Sequence, residues 1–334
     1  MRVAQLLNYS KEKLDLSLNE IAKPVAGPGE VLVKIAYAGV NPLDNMITRG
    51  EVKLILPYKL PLVAGNEFSG FVEERGQGVT DFEIGQRVYA RLPLDKTGAF
   101  GEWLAIDAKA LAPVPDYLSL EEAAAVPLTA LTAFQALDKM QVEAGKKLFI
   151  SGGSGGFGAM AIPLAKARGL EVYTNGSGRN EARVRALGAD HYINYQEEDF
   201  SQVLSDMDYV IDTLGGQELE KQFAILKEGG QLVSLKGMPN KAFAKEMSFS
   251  AIKQFLMGLV GAKYDRLAKK KGQVYQFLFV QANGQQLRQI SQLLQEKQIA
   301  VSIDQVFAFD EVNKALKKVD QGSSQGKTIL KIEA

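Results

Sequence analysis

The chain has 334 residues, 46 % of them hydrophobic, and its 39 Lys and Arg balance 39 Asp and Glu, so the formal net charge is zero. That length suits about two domains, the hydrophobic fraction excludes global disorder, and the neutral balance lacks the surplus cations that a nucleic-acid or anionic-membrane binder needs. No cysteine is present and His191 is the only histidine, which excludes disulfides, thiolate metal sites, iron–sulfur clusters, cysteine nucleophiles and metal sites built from several imidazoles.

The N-terminal segment meets Asn8, Tyr9 and Ser10 before any apolar run of signal length forms, and no stretch of 18 apolar residues occurs. The expectation is a cytoplasmic protein without a membrane span. The first 120 or so residues read as short strands between Gly and Pro turns: Val31 to Tyr37 after Gly27-Pro28-Gly29, Phe68 to Glu74, and Gly85 to Ala90. This spacing predicts a compact, barrel-like β domain. Near Ser119 the pattern changes. Ser119-Leu120-Glu121-Glu122 is a helix start, with Ser119 as the cap and acids in the first turn. From there strands alternate with helices: Leu148–Ile150, a helix Ala159–Arg168 ended by Gly169, Glu171–Thr174, a helix Arg179–Leu187, Tyr192–Tyr195, Tyr209–Asp212 and Gln231–Leu235. Such alternation predicts parallel strands joined by crossover helices. Phe249 to Tyr264 is apolar and helical, with a basic end at Arg266 and Lys269-Lys270-Lys271; it reads as a crossover helix, with a membrane-surface helix as the alternative. An amphipathic helix at 284–297, strands Val301–Phe307 and Thr328–Ile332, and a helix from Asp310 to about Asp320 complete the chain, and on periodicity alone this tail fits either domain.

The sharpest signal is Lys147-Leu148-Phe149-Ile150-Ser151-Gly152-Gly153-Ser154-Gly155-Gly156-Phe157-Gly158. Gly153, Gly155 and Gly158 satisfy G-x-G-x-x-G, after an apolar strand and at the opening of a helix. Bare backbone lets a pyrophosphate approach closely, and the helix N-terminus offers free N–H groups and positive dipole. Gly152, Gly153, Ser154, Gly155, Gly156, Phe157 and Gly158 are therefore candidate dinucleotide-binding residues. An NAD site usually ends its second strand on Asp or Glu, for the ribose 2′-hydroxyl. Here that strand runs into Asn175-Gly176-Ser177-Gly178-Arg179. Asn175, Ser177 and Arg179 form a polar and cationic cluster suited to a 2′-phosphate, and Arg183 stands one helical turn further on. The expected cofactor is NADP(H).

Gly39-Val40-Asn41-Pro42-Leu43-Asp44, Pro61 to Gly70, Pro127-Leu128-Thr129-Ala130-Leu131-Thr132-Ala133, the glycine turn, Leu187-Gly188-Ala189-Asp190 and Gly326-Lys327 occur in this order. Together the set resembles the medium-chain dehydrogenase/reductase superfamily, and within it the zinc-free quinone oxidoreductase (zeta-crystallin-like) branch. The resemblance implies an α/β protein: a GroES-like β-rich catalytic domain from residues 1–121 and 283–334, around a central Rossmann domain with a doubly wound parallel sheet at 122–282. It thereby assigns the tail to the catalytic domain. It also implies a role for Thr129 in holding the nicotinamide and places Tyr195 near the adenosine phosphate end.

Zinc-dependent relatives carry cysteine and histidine where Asn41 and Asn66 stand, and amides are poor zinc ligands, so no metal is expected. Glu67 and Asp44 read as buried structural carboxylates hydrogen-bonded to backbone or arginine. Met46 and Val52 occupy positions where the branch often has a tyrosine, and Pro163 stands inside the helix after the glycine turn, where it should kink it. His191 reads as a surface or cofactor-edge residue. The expected activity is NADPH-dependent, zinc-independent hydride transfer to a small quinone or α,β-unsaturated carbonyl compound. Asn41, with its two amide donors, is the candidate catalytic residue, toward the substrate oxygen or the nicotinamide. The alternatives are a zinc-free alcohol or aldehyde reductase and a non-catalytic NADPH-binding sensor or scaffold. Val274 to Val280 resembles the edge strand through which relatives dimerise, so a homodimer is expected.

Overall fold

A computed structural model of the chain describes residues 1–322 and 325–332. It divides into two compact units, one from Met1–Leu131 with Gln281–Ala334, the other Thr132–Val280.

The first unit is built on an 11-residue strand, Glu30–Val40, buried along almost its whole length. Burial on both faces explains its near-continuous apolar run. It is antiparallel to Glu67–Arg75, Trp103–Asp107 and Lys327–Lys331. Outward from Glu67–Arg75 come Arg87–Arg91 and the short Ala112–Pro113. On the other side, Lys327–Lys331 runs parallel to Ile303–Ala308, and the helix Val312–Asp320 makes the crossover that parallel neighbours require. A smaller antiparallel sheet joins Arg2–Leu6 to Ser17–Glu20 and to Leu62–Val63.

Register decides what this sheet brings together. Val40 pairs with Thr328, Ala38 with Phe68, and Glu67 with Arg91. The end of the long strand therefore lies beside the start of two neighbours and the end of a third. Asn41, Lys327, Glu67 and Arg91 converge at one end of the sheet, although Asn41 and Lys327 are 286 positions apart.

The second unit holds six parallel strands in the spatial order 191–194, 171–176, 147–150, 207–212, 226–234, 274–277. Numbered within the unit, that order is 3-2-1-4-5-6, the doubly wound arrangement, and it reverses direction beside Lys147–Ile150. Leu148, Phe149, Ile150, Val210, Ile211, Leu232 and Val233 are fully buried, as strands covered by helices on both faces must be. The glycine turn leaves the carboxyl end of Lys147–Ile150, at the switch point where such sheets bind ligands. The helix that follows, Gly156–Ala167, contains Pro163 and remains one element; the missing N–H removes one hydrogen bond without ending it.

Ala251–Lys269 is the crossover helix before the edge strand Val274–Phe277. It buries Met257, Gly261, Tyr264 and Ala268, yet leaves Ile252, Phe255, Leu256, Leu259 and Val260 exposed. Its solvent face is thus far more apolar than that of an ordinary crossover helix. Among the described residues, no helix is long and apolar enough to cross a membrane.

Candidate functional site

At the converging strand ends of the first unit, Glu67 is fully buried and both of its oxygens are used. Oε2 accepts from the backbone N–H of Leu128 at 2.7 Å. Oε1 accepts from Asn41 Nδ2 at 2.8 Å and lies 2.6 Å from Lys327 Nζ. Lys327 Nζ also donates to Asn41 Oδ1 at 2.5 Å. Gly39 makes the arrangement possible, because a Cβ there would overlap the Glu67 carboxylate and the Ala124 carbonyl. Asp44, third residue of the helix Pro42–Arg49, accepts from the Asn41 backbone N–H and from Asn66 Nδ2, each at 2.7 Å. Burial pushes the Asp44 carboxyl up to about 6, against the lowering effect of those bonds. Arg91 is also fully buried; desolvation lowers its guanidinium to about 10, countered by Tyr58, Glu67 and Asp44. Arg91 Nε and Nη2 and Asn66 Oδ1 have no partner among the described residues.

This geometry revises the reading of Asn41. Both of its amide hydrogens are turned inward, to Glu67 and to the Gly39 carbonyl at 3.2 Å, and the residue is 2 % exposed. It has no spare donor to offer a substrate oxygen. The buried carboxylates are as expected, but Glu67 is balanced by Lys327 rather than by arginine. Sequence reading quoted Lys327 within a motif and gave it no role. Tyr58 lies near Arg91 but is no free donor: burial pushes its hydroxyl up to about 12, and the hydroxyl donates to the Leu94 carbonyl at 2.7 Å. Thr129 belongs to this unit, and its hydroxyl donates back to the Ala125 and Val126 carbonyls just before its helix, Pro127–Lys139.

In the second unit the turn is held from beneath. Gly152 N–H donates to Asn175 Oδ1 at 2.7 Å and Gly153 N–H to Thr174 Oγ1 at 3.0 Å. A Cβ on Gly153 would overlap Thr174, and one on Gly158 would overlap the backbone of Gly153. At Gly155 the nearest atom to an added Cβ is Gly152 O at 3.7 Å. Gly153 and Gly158 thus serve close packing, while Gly155 keeps an open approach at the N-cap of the helix Gly156–Ala167, with Phe157 half-buried in its first turn. These residues fit a dinucleotide pyrophosphate.

The neighbouring strand end supplies the polar cluster, with divided duties. Asn175 spends its carbonyl oxygen on the turn, and the Ser177 hydroxyl accepts from Asn180 at 3.0 Å; both residues are buried, at 5 % and 8 % exposed. Arg179 is exposed, with no ion pair to any described residue. Arg183 donates through Nη2 to Ser154 O at 2.5 Å, and its Nε and Nη1 are buried without a partner among the described residues. Tyr195 lies at the same corner, its N–H on Gly176 O at 3.1 Å and its ring exposed. His191 does not: it stacks on Tyr173 and bonds Glu171, first residue of its strand, at 2.8 Å. That ties it to the opposite end of the sheet from the turn, so it is a surface residue and not a cofactor-edge one. Thr174 and Asp212 were missed. Asp212, buried at its strand's end, holds the backbone of Leu214 and Gly215, Gln222 and Ser234; an acid followed by Gly215-Gly216 was the available signal.

Comparison with known proteins agrees with the two-part fold. The alcohol dehydrogenase GroES-like domain model matches residues 27–116, and the zinc-binding dehydrogenase model matches residues 187–330. The mitochondrial NAD(P)H oxidoreductase RTN4IP1 of Danio rerio is 30 % identical over 91 % of this chain and 84 % of its own. The chain belongs to the medium-chain dehydrogenase/reductase superfamily. Among its other relatives in that superfamily, 2-methylene-furan-3-one reductase of Solanum lycopersicum is 30 % identical, covering 96 % of this chain and 76 % of its own. The quinone oxidoreductase of Coxiella burnetii superposes with a TM-score of 0.85 at 30 % identity, covering 100 % and 99 % of the two chains. As a dehydrogenase/reductase of this superfamily the chain has the two parts expected, a GroES-like β domain and a Rossmann sheet.

Proposed function

We propose that the chain is an NADPH-dependent reductase of quinones or α,β-unsaturated carbonyl compounds. Membership of the superfamily makes it a nicotinamide-dependent oxidoreductase. A reduced nicotinamide supplies a hydride when bound; the chain's own task is to hold it and to steady the charge that develops on the acceptor. The finer reading is carried by the polar cluster of the first unit. Where zinc-dependent relatives have metal ligands, Asn41 and Asn66 have amides bonded inward, to Glu67 and Asp44. Polarising a simple alcohol or carbonyl normally calls for a metal or a strong acid, whereas a conjugated acceptor spreads its charge and needs less. The names of the tomato furanone reductase and the Coxiella quinone oxidoreductase support the same substrate class. The preference for NADPH rests on the absent strand-end carboxylate and on Arg179 and Arg183 beside the turn.

The test is NADPH consumption with a panel of quinones, alkenals and enones, beside alcohol oxidation with NADP⁺. Turnover of conjugated acceptors is expected; alcohol oxidation with silence on every conjugated acceptor would reverse the assignment, and silence on both would favour an NADPH-binding scaffold.

The proposal includes a homodimer. Val274–Phe277 ends the parallel sheet as an unpaired edge, and the adjacent helix presents Ile252, Phe255, Leu256, Leu259 and Val260. Five such side chains make an apolar patch on the order of 500 Å², at the upper end for a monomer, and a second copy covering strand and stripe would relieve both. A light-scattering mass near twice the 36.4 kDa of one chain is expected.

A further inference from the structure

The second unit carries a buried carboxylate to which hydride transfer gives no task. Asp212 ends the strand Met207–Asp212, is 0 % exposed, and pairs in register with Ser234 on the neighbouring parallel strand. In-register neighbours point to the same face of a sheet, so the two side chains meet. Ser234 Oγ donates to Asp212 Oδ2 at 2.5 Å. Asp212 Oδ1 accepts from the backbone N–H of Leu214 at 3.1 Å, that of Gly215 at 3.0 Å, and Gln222 Nε2 at 2.9 Å. Ser234 Oγ in turn accepts from the backbone N–H of Gly237 at 2.6 Å and of Lys236 at 3.3 Å. One carboxylate therefore holds the loops that leave two adjacent strands, 213–215 directly and 235–237 through Ser234. The loops lie against each other: a Cβ on Gly215 would come within 2.8 Å of Lys236 O. The first is also tied to the glycine turn. Thr213 Oγ1 donates to Ser151 O at 2.7 Å, and a Cβ on Gly152 would meet that hydroxyl at 3.0 Å. Leu214 and Met238 are exposed, so both loops have an outer side open to solvent.

A doubly wound sheet has two mononucleotide-binding halves. Strands 147–150, 171–176 and 191–194 carry the glycine turn and the polar corner at Asn175. Strands 207–212, 226–234 and 274–277 make the other half, and the two loops held by Asp212 leave carboxyl ends of that half. We propose that Asp212 is a positioning residue for the nicotinamide half of the dinucleotide, acting through Ser234 to keep both loops in one arrangement before the cofactor arrives. The proposal rests on the nicotinamide-dependent reading of this unit. A loop ordered in advance does not have to be ordered on binding, so the link contributes to affinity. Its chemistry dictates which changes break it. In Asp212→Asn the remaining oxygen can still accept from Leu214, Gly215 and Gln222. The amide nitrogen then faces Ser234 Oγ, which already receives two N–H groups and whose own hydrogen loses its acceptor. Ser234→Ala removes the same link from the other side. Both variants release 235–237 and leave 213–215 bonded.

The probes are NADPH and 2′,5′-ADP, which has the adenosine half and no nicotinamide. With the full chain, both variants should bind NADPH about tenfold more weakly, the size of one lost hydrogen bond to a charged group, while affinity for 2′,5′-ADP stays within about twofold of the parent. Gln222→Met removes a different partner of Asp212, on the helix Gly216–Ile225, and leaves both loops bonded. It should lower the thermal midpoint and change neither affinity. Amide hydrogen exchange in the parent needs no variant to fold. NADPH should slow exchange across 213–215 and 235–237 together, and 2′,5′-ADP should slow neither. The proposal is overturned if the two link-breaking variants lose affinity for both probes alike, if Gln222→Met changes the ratio as they do, or if NADPH protects only one of the two loops. A parent that binds NADH but not NADPH fails the NADPH reading, and the same comparison made with NADH and ADP then decides the role of Asp212; a parent that binds neither cofactor overturns the proposal as well.

Discussion

Around Glu67 the side chains of Glu67, Asn41, Asp44 and Lys327 are bonded to partners inside the protein, whereas at the glycine turn the protein shapes a backbone and leaves its outer side open. The first region is made of charges: Glu67, Lys327, Asp44 and Arg91, drawn from four separate stretches of chain and all buried. The second is made of absences, with Gly153 and Gly158 allowing close packing and Gly155 keeping space clear. The difference teaches how each region depends on its residues. A charged cluster is cooperative, so losing one member strands another; a bare turn is tolerant of everything except added atoms.

Glu67→Ala tests the cooperative side most severely. It leaves Lys327 without its carboxylate and Leu128 N–H without its acceptor. A loss of about 3–5 kcal/mol in urea unfolding is expected, the usual result of breaking a buried ion pair from one side. A loss below about 1 kcal/mol would mean that the cluster is not cooperative at all.

At the turn the effects should fall on binding. Arg179→Ala should remove a charge-assisted contact to the 2′-phosphate worth about 1.5–3 kcal/mol, so a preference for NADPH over NADH of about ten- to a hundredfold should largely disappear in fluorescence titration. Equal affinity of the parent for both cofactors would sink the NADPH assignment. Gly158→Ala and Gly155→Ala sharpen the contrast within the turn. The first forces a Cβ onto the Gly153 backbone and should cost about 1–3 kcal/mol of stability. The second meets only Gly152 O at 3.7 Å; its thermal midpoint should barely move while dinucleotide affinity falls, and unchanged affinity would remove Gly155 from the site.

The last effect is a dependence on pH and concerns Asp44. Its folded carboxyl is raised to about 6 from 3.8, so the native state favours the protonated form. That contribution to stability is complete below the unfolded value and is lost as pH rises through about 6. Asp44→Asn should lack this loss. Relative to the parent, the variant should gain about 2 kcal/mol between pH 4 and 7; the amide's poorer fit to two donors that the carboxylate accepted lowers its stability equally at both pH values. Identical pH profiles for the two proteins would show that Asp44 carries no such penalty.

The turn and its sheet were legible because their signals are local. Strand, glycines and helix follow one another from Lys147 to Ala167, and each residue's neighbours in sequence are its neighbours in space. The strand-end cluster at Asn175 was legible as polar composition, but not in its division of labour, since that depends on which way each side chain turns. The Glu67 cluster was legible only residue by residue. Nothing local to Lys327 announces a buried ammonium; its partners are fixed by the pairing of Thr328 with Val40, a register set by distant strands. The helix Ala251–Lys269 was legible as a crossover helix, but not in its faces, for a related reason. Its apolar run was correctly read as helical, but an apolar run does not say which of its faces the fold will cover.

The position of Lys327 also orders events during synthesis. Glu67 leaves the ribosome early, and the cation that balances it lies 260 residues further on, in the last strand to be made. The contiguous segment Thr132–Val280, a compact unit of its own, is made entirely within that interval. The β domain, built from two separated segments, must keep its long central strand and its carboxylate waiting until the strand Lys327–Lys331 has been made. A chain cut short before Lys327 therefore retains a glycine turn able to form, but also an exposed sheet edge and a carboxylate with no counter-charge, the features by which quality control recognises an incomplete molecule.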